Sequence, residues 1–207
     1  MTIIGYSDRI NHALAYAAKH HDQQVRKGAR PPYFTAPSNV AVILTRYACD
    51  EQTVVAGILR PAVEDFVLDG FSDEAVRLRL ADKFGDEVVN LTLTSVRRRV
   101  DDDGVELSHE EQKTDLLERL AAADVRARWV AAAHELHDAS SLLTDLRRTF
   151  FPDAVWRRFA EGREAKIRWY RQLHDRLTAV GFTGAIMLEL GEVADALTAF
   201  SEQSASA

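Results

Sequence analysis

Apolar residues recur at three- and four-residue intervals along most of the chain, as at Ile10, Leu14, Ala17 and Ala18, and again at Leu116, Leu117 and Leu120. That interval keeps them on one helix face, whereas a half-buried strand alternates. Alternating runs are nearly absent. The pattern predicts helices over 7–24, 37–48, 51–68, 72–83, 85–96, 108–122, 124–148, 153–180 and 185–201, and so an all-α fold. Ser7 and Asp8 supply an N-cap pair for the first helix, and Ser72 with Asp73 and Glu74 puts acids at the positive end of the fourth. The run from Gly28 to Tyr33, G-A-R-P-P-Y, forces the chain out of the first helix. Asp101-Asp102-Asp103-Gly104 has no apolar period and reads as an exposed, mobile connection, without the spaced oxygen ligands of a calcium loop. The polar tail 201–207 reads as disordered, leaving residues 1–200 as one helical domain.

Composition narrows the function classes. With 207 residues, 46% of them hydrophobic, the chain is long enough for one substantial core. A formal net charge of -6 argues against nucleic acid as a partner, since a phosphate backbone attracts a basic surface. The run Arg97-Arg98-Arg99 then reads as a solvated helix end. Cys49 is the single cysteine, so no intrachain disulfide forms, and with no base beside it a buried or half-buried small side chain is expected rather than a nucleophile. The N-terminus lacks the basic and apolar segments of a signal peptide, and no apolar run reaches membrane-spanning length. A soluble, cytoplasmic protein is expected.

Several motifs carry a resemblance. His21, Gln24, Arg26 and Lys27 stand as H-x-x-Q-x-R-K, followed by Pro32-Tyr33, Ala36-Pro37-x-x-Val40-Ala41, and Phe84-Gly85 with Val88. Later come V-A-A-A-H-E-L-H-D, from Val130 to Asp138, and the helix-like G-R-E-A-K-I-R-W-Y-R. Over roughly residues 7–180 this resembles the hydrolase domain of the RelA/SpoT family, the HD-domain alarmone hydrolases, and most specifically its small stand-alone members. The resemblance implies an HD-domain helical bundle. It also implies removal of the 3′-diphosphate from guanosine tetra- or pentaphosphate with one divalent ion, commonly manganese, which deprotonates water and offsets phosphoryl charge.

At the metal positions the chain departs from the family. The resemblance puts Ala36 on the histidine of His-Pro, Arg60-Pro61 on the His-Asp pair, and His134 on the last aspartate, with Ala131 on a lysine. A methyl group, a guanidinium and a pyrrolidine ring supply no lone pair to a cation. No metal is therefore expected, manganese belonging to active relatives, and Glu64 and Asp65 become vestigial. Arg60 either grips phosphate or pairs with Glu64 one turn on. Arg26, Lys27, Tyr33 and Arg60 form the expected guanine-nucleotide site, Arg26 lying against the base and Lys27 near phosphate in the family. His20 and His21, as neighbours on one helix, are expected to point to different faces, and with His134 and His137 to serve the core rather than a new metal cluster. Trp156, Phe159, Trp169 and Tyr170 read as core or subunit interface. Pro61 should kink its helix at Leu59–Arg60, since an interior proline costs ~3 kcal/mol unless the helix bends or restarts there.

The expectation is thus a degenerate HD-domain protein, catalytically inactive, working as a nucleotide-binding or regulatory module, with a protein partner or homo-oligomer as its alternative contact. The rival is an active metal-dependent phosphohydrolase of that alarmone or a related nucleotide, with His134, Glu64 and Asp65 in a rebuilt site.

Overall fold

Side chains supplied by the sequence fix where helices begin. Ser7, Asp50, Ser72 and Asp124 each accept a backbone amide from the first turn that follows, and Ser108 forms a reciprocal capping box with Glu111. The computed structural model describes residues 6–25 and 32–205. Among them are ten helices and no strand: α1 (Asp8–His20), α2 (Thr35–Arg46), α3 (Glu51–Leu68), α4 (Asp73–Phe84), α5 (Asp86–Ser95), α6 (His109–Ala122), α7 (Val125–Arg148), α8 (Pro152–Trp156), α9 (Gly162–Ala179) and α10 (Ala185–Ala205). Two isolated bridges, Val25 to Pro32 and Val100 to Glu106, are the remaining backbone pairings of note.

Helix α3 is the axis. Every residue from Thr53 to Val63 is buried, the signature of a helix enclosed on all sides. Helices α1, α2, α5 and α7 surround it, while α7 also carries α9 and α10 on its far side. At Gly57 the side chains of α2 press so closely on the backbone of α3 that an added Cβ would lie 3.0 Å from Val40 Cγ1 and closer still to Leu44 Cδ1. The absence of a side chain there sets the helix spacing.

The structure departs from the sequence pattern at several helix ends. Helix α1 stops at His20 rather than at residue 24. Helix α3 runs unbroken through Pro61 over the predicted 51–68; packing on every side holds the helix across the missing amide. Helix α2 begins at Thr35, and Pro37 falls in its first turn, where no intrahelical amide is needed. The segment 153–180 is two helices, α8 and α9, broken at Gly162, whose φ of 80° lies in the left-handed region. Helix α10 continues to Ala205, beyond the point where the tail from residue 201 was expected to lose structure.

The acidic run is a closed turn as well as an exposed one. Asp101 accepts the amides of Asp103 and Val105, and Gly104 takes φ 79°. The three arginines before it are paired rather than merely solvated: Arg97 with Glu64, Arg98 with Asp102 and Asp115, and Arg99 with Glu106. Cys49 is half-buried, and burial pushes its thiol up to about 12, far from a thiolate nucleophile. Trp156, Trp169 and Tyr170 are core residues, with Phe159 packed partly buried against them. No helix among the described residues is long and apolar enough to cross a membrane.

Gly57→Val should destabilise the protein by ~2 kcal/mol or more, because overpacking a closed helix contact adds to the low helix propensity of valine. A fall in the urea midpoint at unchanged slope is the expected result.

Candidate functional site

Arg60 sits at the centre of the fold with 1% of its surface exposed. Its Nε donates to the Ser95 carbonyl at 3.0 Å, its Nη1 to Glu64 Oε2 at 3.2 Å, and its Nη2 lies 3.9 Å from Glu135 Oε1. Ser95 ends α5, so the guanidinium also meets the negative end of that helix. The pairing with Glu64 expected from the four-residue spacing is present, but inside the protein rather than on its surface. Arg97 reaches Glu64 from outside at 3.7 Å.

A second charged layer lies behind the first. Trp169 Nε1 donates to Glu135 at 2.9 Å, and Lys166 Nζ and the Tyr170 hydroxyl both donate to Asp138, at 2.8 and 2.9 Å. Burial alone would raise every one of these carboxyl pKa values. At Glu64 it is outweighed by Arg60, His134 and Arg97, which hold the group below the ordinary range. At Glu135, burial is overcome by His134, Lys166 and Arg60, which bring the carboxyl down to about 2. Asp138 is held lower again by Lys166 and Tyr170, against burial, and Lys166 is raised in return by Asp138 and Glu135. Four helices, α3, α5, α7 and α9, are thereby locked by charge.

On the neighbouring face of α3, Asp65 turns towards α1. His20 Nε2 lies 3.0 Å and His21 Nδ1 3.6 Å from Asp65 Oδ2, while Gln24 donates to the same oxygen at 3.1 Å and faces His21 Nδ1 at 2.8 Å. The expectation that His20 and His21 diverge is corrected here. His20 ends α1 and His21 is its C-cap, at φ -100° and ψ 17°, so the backbone leaves the helical step between them and the two rings converge. Among the described residues, His20, His21 and Asp65 are the group able to hold a metal ion. Burial, together with the nearby His20, lowers the His21 pKa despite the Gln24 hydrogen bond and Asp65, so the ring stays neutral.

Asp65 also lines a cavity of about 470 Å³, within the range of small-molecule sites, together with Gln24, Tyr33, Asp138, Asp145, Arg158 and Phe159. Tyr33 packs on His21 with ring centroids 4.7 Å apart, and burial beside Glu64 and Asp65 pushes its phenol up to about 12, so it remains a hydrogen-bond donor. Of the four residues expected to hold a nucleotide, Tyr33 lies on this cavity, Arg60 is enclosed behind it, and Arg26 and Lys27 fall outside the described residues.

The positions that the resemblance assigns to a metal hold poor donors. Ala36 is buried, Arg60 is engaged by two carboxylates, and Pro61 is buried inside α3. His134 Nδ1 is 3.7 Å from Glu135, beyond hydrogen-bond range, and is left without a partner. This donor set does not fit manganese. Glu135, Asp138 and Lys166 escaped the sequence reading, although their i, i+3 spacing on α7 and the Lys166-Trp169-Tyr170 spacing on α9 were there to be read.

A family described as HD domain matches residues 13–155. A curated Myxococcus xanthus protein described as GTP pyrophosphokinase is 41% identical over 58 residues, 28% of this chain, and the match spans only 8% of that protein's length. Among solved structures, a metazoan ortholog of SpoT that hydrolyzes ppGpp superposes with a TM-score of 0.68 at 27% identity, over 93% of this chain and 96% of its own. A Listeria monocytogenes EGD-e protein gives 0.61 at 25% identity, over 77% and 96%.

Arg60→Met should cost ~3–5 kcal/mol at neutral pH, since it strands Glu64 and Glu135 as buried charges. In the intact protein the depressed carboxyl of Glu135 contributes stability that is complete above its ordinary value of ~4.3 and lost as pH falls through about 2. Urea unfolding should therefore show stability falling from about pH 5 towards 2. The deficit of the Arg60→Met variant should shrink over the same range as its carboxyls protonate.

Proposed function

The chain belongs to the HD domain family, and from that premise we propose that it is a member without the family's metal-dependent hydrolysis, serving as a guanine-nucleotide-binding or regulatory module. The observation that carries this reading is the placement of Arg60, whose fixed positive charge is satisfied by Glu64 and Glu135 inside the fold. A divalent cation beside it would meet electrostatic repulsion and find neither carboxylate free. The SpoT ortholog hydrolyzes ppGpp; here the same nucleotide class would be held and not cleaved.

The ligand takes the cavity beside Tyr33. Asp138 and Asp145 on its wall are already neutralised by Lys166 and Arg158, so the countercharge for phosphate is assigned to Arg26 and Lys27. Arg60 supports the site from behind as a built-in replacement for the ion's charge. Work in the cytoplasm, and transmission of the bound state to a protein partner or second copy, complete the reading. The rival, a phosphohydrolase built from His134, Glu64 and Asp65, requires Glu64 to leave Arg60 and stand as a buried charge.

Incubation with guanosine tetraphosphate and manganese should release no diphosphate, and turnover at stoichiometric metal overturns the proposal. In EDTA, guanine nucleotides should raise the melting temperature, and Tyr33→Ala should weaken binding ~5-fold, the loss of an aromatic contact worth ~1 kcal/mol. Absence of any shift across a guanine-nucleotide panel counts against the ligand.

A further inference from the structure

We propose that His20, His21 and Asp65 form a binding site for a divalent transition metal, with zinc as its fitting occupant, at the cavity wall and apart from the inherited ligand positions. The three donor atoms come from the last turn and cap of α1 and from one residue of α3. Their separations from Asp65 Oδ2, 3.0 and 3.6 Å, bracket the ~3.3 Å edge of a tetrahedron whose metal-ligand bonds are ~2.0–2.1 Å. Two imidazoles and one carboxylate match zinc, and such sets keep a coordination position open.

The rings are held in place before any ion arrives. His20 packs edge-on to Phe66 at 5.0 Å and stacks with Tyr16 at 6.5 Å, while His21 rests on Tyr33 at 4.7 Å. Gln24 spans His21 Nδ1 and Asp65, the two atoms an ion would join. Among the described residues the buried His21 ring finds polar partners at Nδ1, the edge that faces Asp65 and Gln24, and none at Nε2. Asp65 and His20 remain partly exposed, which leaves a path for entry, and Asp65 brings the ion to the cavity wall. A bound dication there would add to the described wall a positive point able to accept an anionic oxygen.

The test uses the tag-free, full-length protein stripped with EDTA and no nucleotide present, so its outcome is separate from that of the nucleotide reading. Cobalt(II) should bind one equivalent with visible d–d absorption, and zinc should displace it. His20→Gln and Asp65→Asn, each checked by circular dichroism, should weaken zinc at least tenfold, whereas the exposed His109→Gln should leave it unchanged. On the unaltered protein, zinc should shift the ¹⁵N resonances of His20 Nε2 and His21 Nδ1. Binding that survives both cluster substitutions, unmoved histidine nitrogens, or no stoichiometric cobalt each overturns the site.

Discussion

A single guanidinium without access to water, shared between two carboxylates and the end of a helix, is the constraint around which this protein is organised. Removing Arg60 from solvent is costly, and the cost is offset only because Glu64, Glu135 and the Ser95 carbonyl meet it from three elements at once. The contact joins α3, α5 and α7 at one point. Lys166 repeats the device one layer out, tying α9 to α7 through Asp138. A helical bundle of this kind is commonly held by apolar packing; here the centre of the packing is ionic, and the apolar core closes over it.

What could be read from the sequence was what is local. Caps at Ser7 and Ser72 and the three-to-four apolar period are decided by residues a turn apart, and they gave most helices nearly to the residue. The penalty of Pro61 is local while the forces holding α3 are not: neighbours on all sides keep the helix continuous across the missing hydrogen bond. The split before Gly162 was hidden because the short break over 157–161 separates two segments that both carry a helical apolar period. The pairing of Arg60 with Glu64 was visible in the four-residue spacing, but its burial depends on Glu135 and Ser95, which sequence distance conceals. Ala36, Arg60 and Pro61 were legible as non-donors from their chemistry alone. The meeting of His20 with His21 was not legible, because it turns on the backbone angles of a single capping residue.

The two charge systems differ in kind. The Arg60 network is closed, with its carboxylates held below their ordinary pKa values by the positive charges around them. The histidine cluster is half open, borders the cavity and relies on a glutamine side chain to join its parts. The first is suited to stability and the second to exchange with what enters from outside.

Consecutive residues on α3 serve both systems, Glu64 inward to the arginines and Asp65 outward to the histidines. One peptide unit thus joins a rigid anchor to a responsive surface. Because the two carboxylates are neighbours on one helix, neither can change its place along α3 without carrying the backbone of the other.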